Sequence, residues 1–130
     1  MALTNGWYGF DLDGTLARYD GWIAADHIGE PTPPDPVDGK TMIDRVKELL
    51  ARDEEVRIFT ARVYSNGSSK DNLVAEMARA CIEEWCLKHI GVRLPVTCMK
   101  DYGCICIYDD RSIQVEVNTG RLIRDGGRVQ

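Results

Sequence analysis

Two carboxylates one residue apart, Asp11 and Asp13, break the apolar run in YGFDLDGTLARYDGW (Tyr8 to Trp22) just before Gly14-Thr15. A turn after a strand needs one Asp or Asn, not two. On an extended chain the side chains alternate, so acids flanking Leu12 project to the same side. Their like charges repel unless a cation lies between them, and a divalent metal is the natural candidate. A second acidic pair, Asp109-Asp110, closes the apolar run CICIY, and Thr60 closes the run EVRIF. Three runs ending in groups suited to metals and anions point to one site assembled from strand ends.

Such a site needs strands to carry it. Gly6 to Phe10 is short, aromatic and bounded by glycine, which suits a buried first strand. Residues 17–37 show no sustained period and contain Gly21, Gly29, Pro31, Pro33, Pro34 and Pro36, which predicts a flap rather than a packed element. From Asp38 a helical pattern runs through Met42, Val46 and Leu49, with Ile43 and Leu50 beside it. Glu55 to Thr60 alternates as a second strand. After the turn-rich YSNGSSK (Tyr64 to Lys70), Ser69 or Asp71 can cap a helix whose apolar stripe is Val74, Met77, Cys81, Ile82 and Trp85. That helix should stop near Gly91.

LPVTCM and CICIYDD read as two more strands, and the second lacks polar alternation, as expected in a parallel sheet covered on both faces. Ile113 to Val117 and Arg121 to Ile123, joined by Asn118-Thr119-Gly120, predict a hairpin. The expectation is an α/β fold: a three-layer, Rossmann-like open sheet, mainly parallel, with helices on both faces and a C-terminal β-hairpin. Ligands of such sheets bind beyond the carboxyl ends of the strands.

The 130 residues predict a single domain, 1–130, with 17–37 as its flap. The 16 basic against 21 acidic residues leave a net charge of −5, so bulk charge does not advertise a nucleic-acid binder. Arg121, Arg124 and Arg128 read as solvated charges of the tail. Nothing resembles a signal peptide, and no apolar run approaches membrane-spanning length, so no membrane partner is expected. Five cysteines, an odd number without CxxC spacing, suit free thiols in a reducing cytoplasm. Cys81, Cys86, His89 and Cys98 lack a recognised zinc spacing. VDGKT (37–41) lacks the leading glycine of a phosphate loop, since position 34 is Pro, and a helix start is the better reading.

Together, DLDGT at 11–15, RIFTAR at 57–62, a later lysine and IYDD at 107–110 resemble the motifs of the haloacid dehalogenase (HAD) superfamily of phosphotransferases. The resemblance covers nearly the whole chain, in the family's order. It implies a Mg²⁺-dependent phosphate-monoester hydrolase working through an aspartyl phosphate, with Asp11 as nucleophile and Asp13 as general acid and base. Gly14, Thr15, Thr60, Ala61 and Arg62 are the implied substrate-binding positions. Magnesium would be held by Asp11, the Asp13 backbone carbonyl and one of Asp109 and Asp110, with Asp110 preferred by analogy. Such a metal and a lysine offset the repulsion between an attacking carboxylate and a dianionic phosphate.

For that lysine, Lys100, in the loop before CICIYDD, is preferred over Lys88, which a helix C-terminus explains without a catalytic role. TAR (60–62) also resembles the Ser/Thr-x-Arg of polynucleotide phosphatases, so Arg62 is either a substrate contact or a surface arginine after a strand. The chain departs from many HAD enzymes in having no room for a full cap domain. Capless relatives act on macromolecular ends or form oligomers, which keeps a nucleotide, a polynucleotide end or another phosphorylated partner in view, and a homo-oligomer with them.

Two rivals belong to other classes. A catalytically silent HAD-like domain could bind a phosphorylated ligand, but it has no need of both Asp11 and Asp13. A receiver-type signalling domain puts its phosphoacceptor after the third strand, and no Asp closes LPVTCM.

Overall fold

The computed structural model describes residues 6–123. Four strands, β1 (Trp7–Phe10), β2 (Glu55–Phe59), β3 (Val96–Thr97) and β4 (Cys104–Tyr108), form one sheet in the order β3-β2-β1-β4. Every pairing is parallel. Helices α1 (Met42–Ala51) and α2 (Ser69–His89) connect β1 to β2 and β2 to β3. The chain therefore steps outward from β1 on one side, then returns to β4 on the other. That reversal puts the topological switch point between β1 and β4, where open α/β sheets bind ligands.

Local chemistry explains the helix limits. Thr41 and Asp44 form a capping box, each side chain accepting the other's backbone N–H at 2.9 Å, which begins α1 after the Asp38 turn. Ser68, rather than Ser69 or Asp71, caps α2 by accepting the Asp71 N–H. Helix α2 ends at His89, and Gly91 follows at φ 105°, donating its N–H to the Cys86 carbonyl.

Both crossovers run in the same direction along the sheet, and right-handed crossovers of that kind place their helices on one face. The core agrees. Phe10, Val56 and Ile58 from that face join Ile43, Val46 and Leu49 of α1 and Ala78, Ile82, Trp85 and Cys86 of α2 in one cluster. The α2 stripe is rotated from the predicted one: Val74 and Met77 are exposed, while Ala75 and Ala78 are buried. Small side chains let the helix approach its neighbours closely, a gain that hydrophobicity alone does not register.

On the opposite face the described residues hold no helix, so they build two layers where three were expected. The link from β3 to β4 is too short for a crossover helix. Its Asp101 instead accepts a 2.8 Å bond from the Trp7 indole N–H, and Arg57 stacks 4.7 Å above that ring. Edge strand β4 is accordingly half-exposed, not covered on both faces. The expected C-terminal hairpin reduces to one antiparallel bridge, Val115 with Leu122, around a turn with Asn118 at φ 66°. Its apolar residues Ile113, Val115 and Val117 stay exposed, so no packing rewards a longer ladder. In the tail, Arg121 pairs with Glu116 at 2.9 Å, and Arg124 and Arg128 lie outside the described residues. No helix among the described residues is long and apolar enough to cross a membrane.

Candidate active site

Strand register assembles the site. Phe10 pairs with Tyr108, their rings stacked 4.2 Å apart, and the Asp11 N–H donates to the Tyr108 carbonyl at 2.9 Å. Asp11 and Asp109 are therefore the next residues along two adjacent parallel strands. The carboxylates of Asp11, Asp109 and Asp110 bring oxygens within 4.8 Å of one another. The chain then turns sharply. Leu12, Leu16 and Ala17 are fully buried, and the Thr15 and Ala17 N–H groups both donate to the Leu12 carbonyl. Buried leucines on both sides of the turn pin Asp13, Gly14 and Thr15 at the sheet edge.

Gly14 is required on two counts. It adopts φ 88°, and a Cβ there would lie 2.6 Å from Asp110 Oδ2. The Thr15 hydroxyl lies 3.3 Å from Asp110 Oδ1 and 3.5 Å from Asp11 Oδ2, while Thr32 of the flap donates to the Thr15 carbonyl at 2.7 Å. Thr60 is buried and caps the short 3-10 turn Ala61–Val63, its hydroxyl accepting the Arg62 N–H at 3.2 Å.

The Asp11 carboxyl is pushed up from 3.8 to about 7, first by burial, then by its hydrogen bond to Asp110 and the charges of Asp109 and Asp110. Carboxylates this close repel one another, and a divalent ion relieves such an arrangement. All three are oxygen donors, the set that hard ions such as Mg²⁺ and Ca²⁺ prefer. The acids therefore fit a metal.

Asp13 behaves differently from Asp11. Its carboxylate is outside the acidic group and is gripped by Arg62, Nε to Oδ2 at 2.7 Å and Nη2 to Oδ1 at 2.9 Å. The two acids thus project to separate partners, because the chain turns after Leu12 instead of staying extended. Arg62 is itself largely buried, donates to the His27 carbonyl of the flap at 2.9 Å, and packs 4.9 Å from the Trp22 ring. Of the two readings of Arg62, the surface arginine is set aside: the guanidinium ties the flap to Asp13.

A cavity of about 650 Å³ opens at the switch point, lined among others by Asp11, Asp13, Thr60, Arg62, Asp109 and Asp110. Gly14 and Thr15 abut it through their contacts to Asp110, and Ala61 lines it directly. Neither Lys88 nor Lys100 lines it. Lys88 lies on the last turn of α2, and Lys100 acts on the thiol of Cys104 at the start of β4, the opposite end of the sheet from the acids. The cation that sequence reasoning missed is Arg111, which lines the cavity and makes no ion pair among the described residues. Its position directly after Asp109-Asp110 was the available signal. Tyr19 and Tyr64 also line the cavity and carry no motif. All five cysteines are free thiols.

Compared with protein-family models, curated proteins and solved structures, the chain matches none.

Proposed function

We propose that the chain is a Mg²⁺-dependent phosphate-monoester hydrolase that works through an aspartyl phosphate on Asp11, as the resemblance to the HAD superfamily implies. The observation that carries this reading is the convergence of Asp11, Asp109 and Asp110 at the switch point, beside Thr60 and in one cavity with Asp13. When bound, the ion supplies positive charge that keeps Asp11 ionised and offsets the charge of the incoming phosphate. Asp11 and Asp110 would be its carboxylate ligands. Asp109 Oδ1 accepts the Arg111 backbone N–H at 2.9 Å, a closer engagement than the 3.3 Å contact of the Thr15 hydroxyl with Asp110 Oδ1, which makes Asp109 the weaker donor.

In the first step an Asp11 oxygen attacks phosphorus, the ester P–O bond breaks, and a proton held on Asp13 passes to the leaving oxygen. In the second step water attacks the same phosphorus and gives a proton back to Asp13. The Asp11–phosphorus bond then breaks and phosphate departs. Covalent catalysis divides one difficult displacement into two easier ones. For Asp13 to carry a proton, the Arg62 fork must release one of its oxygens, and a substrate phosphate is an anion able to compete for that fork. Arg111 supplies the remaining cation, the role first given to Lys100. No cap domain covers the cavity among the described residues, so water exclusion falls to the flap, to the substrate or to a second subunit. The free thiols suit the cytoplasm.

Phosphate release from an aryl phosphate tests the reading with and without Mg²⁺. Asp110→Asn should raise the Mg²⁺ concentration for half-maximal activity more than Asp109→Asn does. Mg²⁺-independent release would overturn the metal's role, and two unchanged titrations would remove Asp109 and Asp110 from the site.

A further inference from the structure

We infer that the substrate is a nucleoside monophosphate, its phosphate at the Asp11 cluster and its base stacked on an aromatic rim formed by Tyr19, Trp22 and Tyr64. The inference rests on the phosphomonoesterase reading and names its substrate class. Single exposed aromatic residues are ordinary on a protein surface. Here three of them, 44%, 56% and 64% exposed, line the cavity that holds the acids. Tyr19 and Trp22 come from the flap and Tyr64 from the segment after β2, so the rim is built from two separate parts of the chain.

Trp22 is also held in place. The Arg62 guanidinium packs on its ring while gripping Asp13, which fixes a flat apolar surface beside the acid that serves the leaving oxygen. More than half of the Trp22 surface remains open. A leaving group that carries a planar ring can cover it, whereas a sugar or glycerol has no π-face to offer. Base stacking on aromatic side chains tolerates any base, so the rim selects the class and not the base.

Size and charge separate a mononucleotide from a nucleic-acid end. The cavity, about 650 Å³, lies in the range of small-molecule sites, roughly 300–1,000 Å³. A polynucleotide would need a track of cations for successive phosphates. The cations lining the cavity are Arg62, already paired with Asp13, and Arg111, and the chain carries a net charge of −5.

The test compares kcat/KM for adenosine 5′-monophosphate and ribose 5-phosphate at saturating Mg²⁺. The expected ratio is about tenfold or more in favour of the nucleotide, the order that one stacked base supplies. Trp22→Leu and Tyr64→Leu should each shrink that ratio several-fold, while Tyr64→Phe, which keeps the ring, should preserve it. Because the readout is a ratio, any general damage from loosening Arg62 cancels. An unchanged ratio in both leucine variants, or a 3′-phosphorylated oligonucleotide preferred tenfold over the mononucleotide, would overturn the inference. Calorimetric binding to Asp11→Asn with Mg²⁺ needs no turnover. Tighter nucleotide than ribose 5-phosphate binding supports the rim even if the hydrolase reading fails. Nucleotide binding no tighter than ribose 5-phosphate binding overturns the rim even if aryl phosphate is hydrolysed.

Discussion

Asp11→Asn should abolish phosphate release, by roughly 10⁴-fold or more as for other lost nucleophiles, and at the same time stabilise the metal-free chain near neutral pH. The first effect follows because an amide cannot form the phosphoenzyme, so no acid-labile phosphate should remain on the protein. The second follows first from the burial of Asp11 and then from its crowding with Asp109 and Asp110. In the fold the Asp11 carboxyl sits at about 7 against an ordinary 3.8, so the folded chain holds a proton there that the unfolded chain has lost. A raised carboxyl contributes stability that is fully present below the ordinary value and disappears as pH rises through the folded one. The Asn variant lacks that loss. Its melting temperature should match the parent near pH 4, pull ahead between pH 4 and 7, and hold a constant lead above. Mg²⁺ should raise the parent's Tm at pH 7.5 and narrow the gap, because an ion that binds only the folded state stabilises it by mass action. Thermal melts of both proteins from pH 4 to 8, with and without Mg²⁺, measure all of this. A gap that does not depend on pH would mean that the Asp11 carboxyl is not raised in the folded chain.

This opposition between function and stability explains why the acids stood out in the sequence. An apolar strand ending in two carboxylates contradicts what packing alone would select, and such contradictions concentrate at functional sites. The strands were legible for the opposite reason, since apolar runs bounded by glycine and acids left little choice of β1, β2 and β4. The side-chain partners of Asp11 and Asp13 were not legible, because they depend on the turn after Leu12. Alternation predicts a shared partner for residues two apart, and the buried Leu12 and Leu16 instead fold the chain back and send Asp13 to Arg62. Nor did periodicity show that the second face of the sheet lacks a helix. Apolar content in Cys104 to Tyr108 looks the same whether a strand is covered or lies at an edge. The rotated stripe of α2 has a similar origin: alanines carry little hydrophobic signal, yet they take the closest packing.

Arg111→Ala should cost about 10²-fold or more in kcat, and Lys100→Ala should leave turnover within a factor of two. Sequence order favoured the lysine because it stands between β3 and the strand that ends in Asp109. Parallel geometry reverses that preference. The loop after β3 must descend to the N-terminal end of the sheet before β4 can begin, and it carries Lys100 toward Cys104, away from the acids. Arg111 emerges where β4 ends, and its backbone N–H is fastened to Asp109 Oδ1 at 2.9 Å, so its position is tied to the acidic pair itself. Arg62 is shared between Asp13 and the His27 carbonyl of the flap, so it cannot supply that charge alone. A guanidinium facing the charge that develops on the phosphoryl group stabilises the transition state more than the ground state, so its removal should lower kcat rather than merely raise KM. Arg111→Lys should recover part of the rate, since it restores the charge but not the two-pronged geometry. Loss of Lys100 removes a solvated ammonium and should move Tm only slightly. Steady-state kinetics on the three variants decides the assignment. A dead Lys100→Ala beside an active Arg111→Ala would show that the phosphate approaches from the β3 side of the cavity.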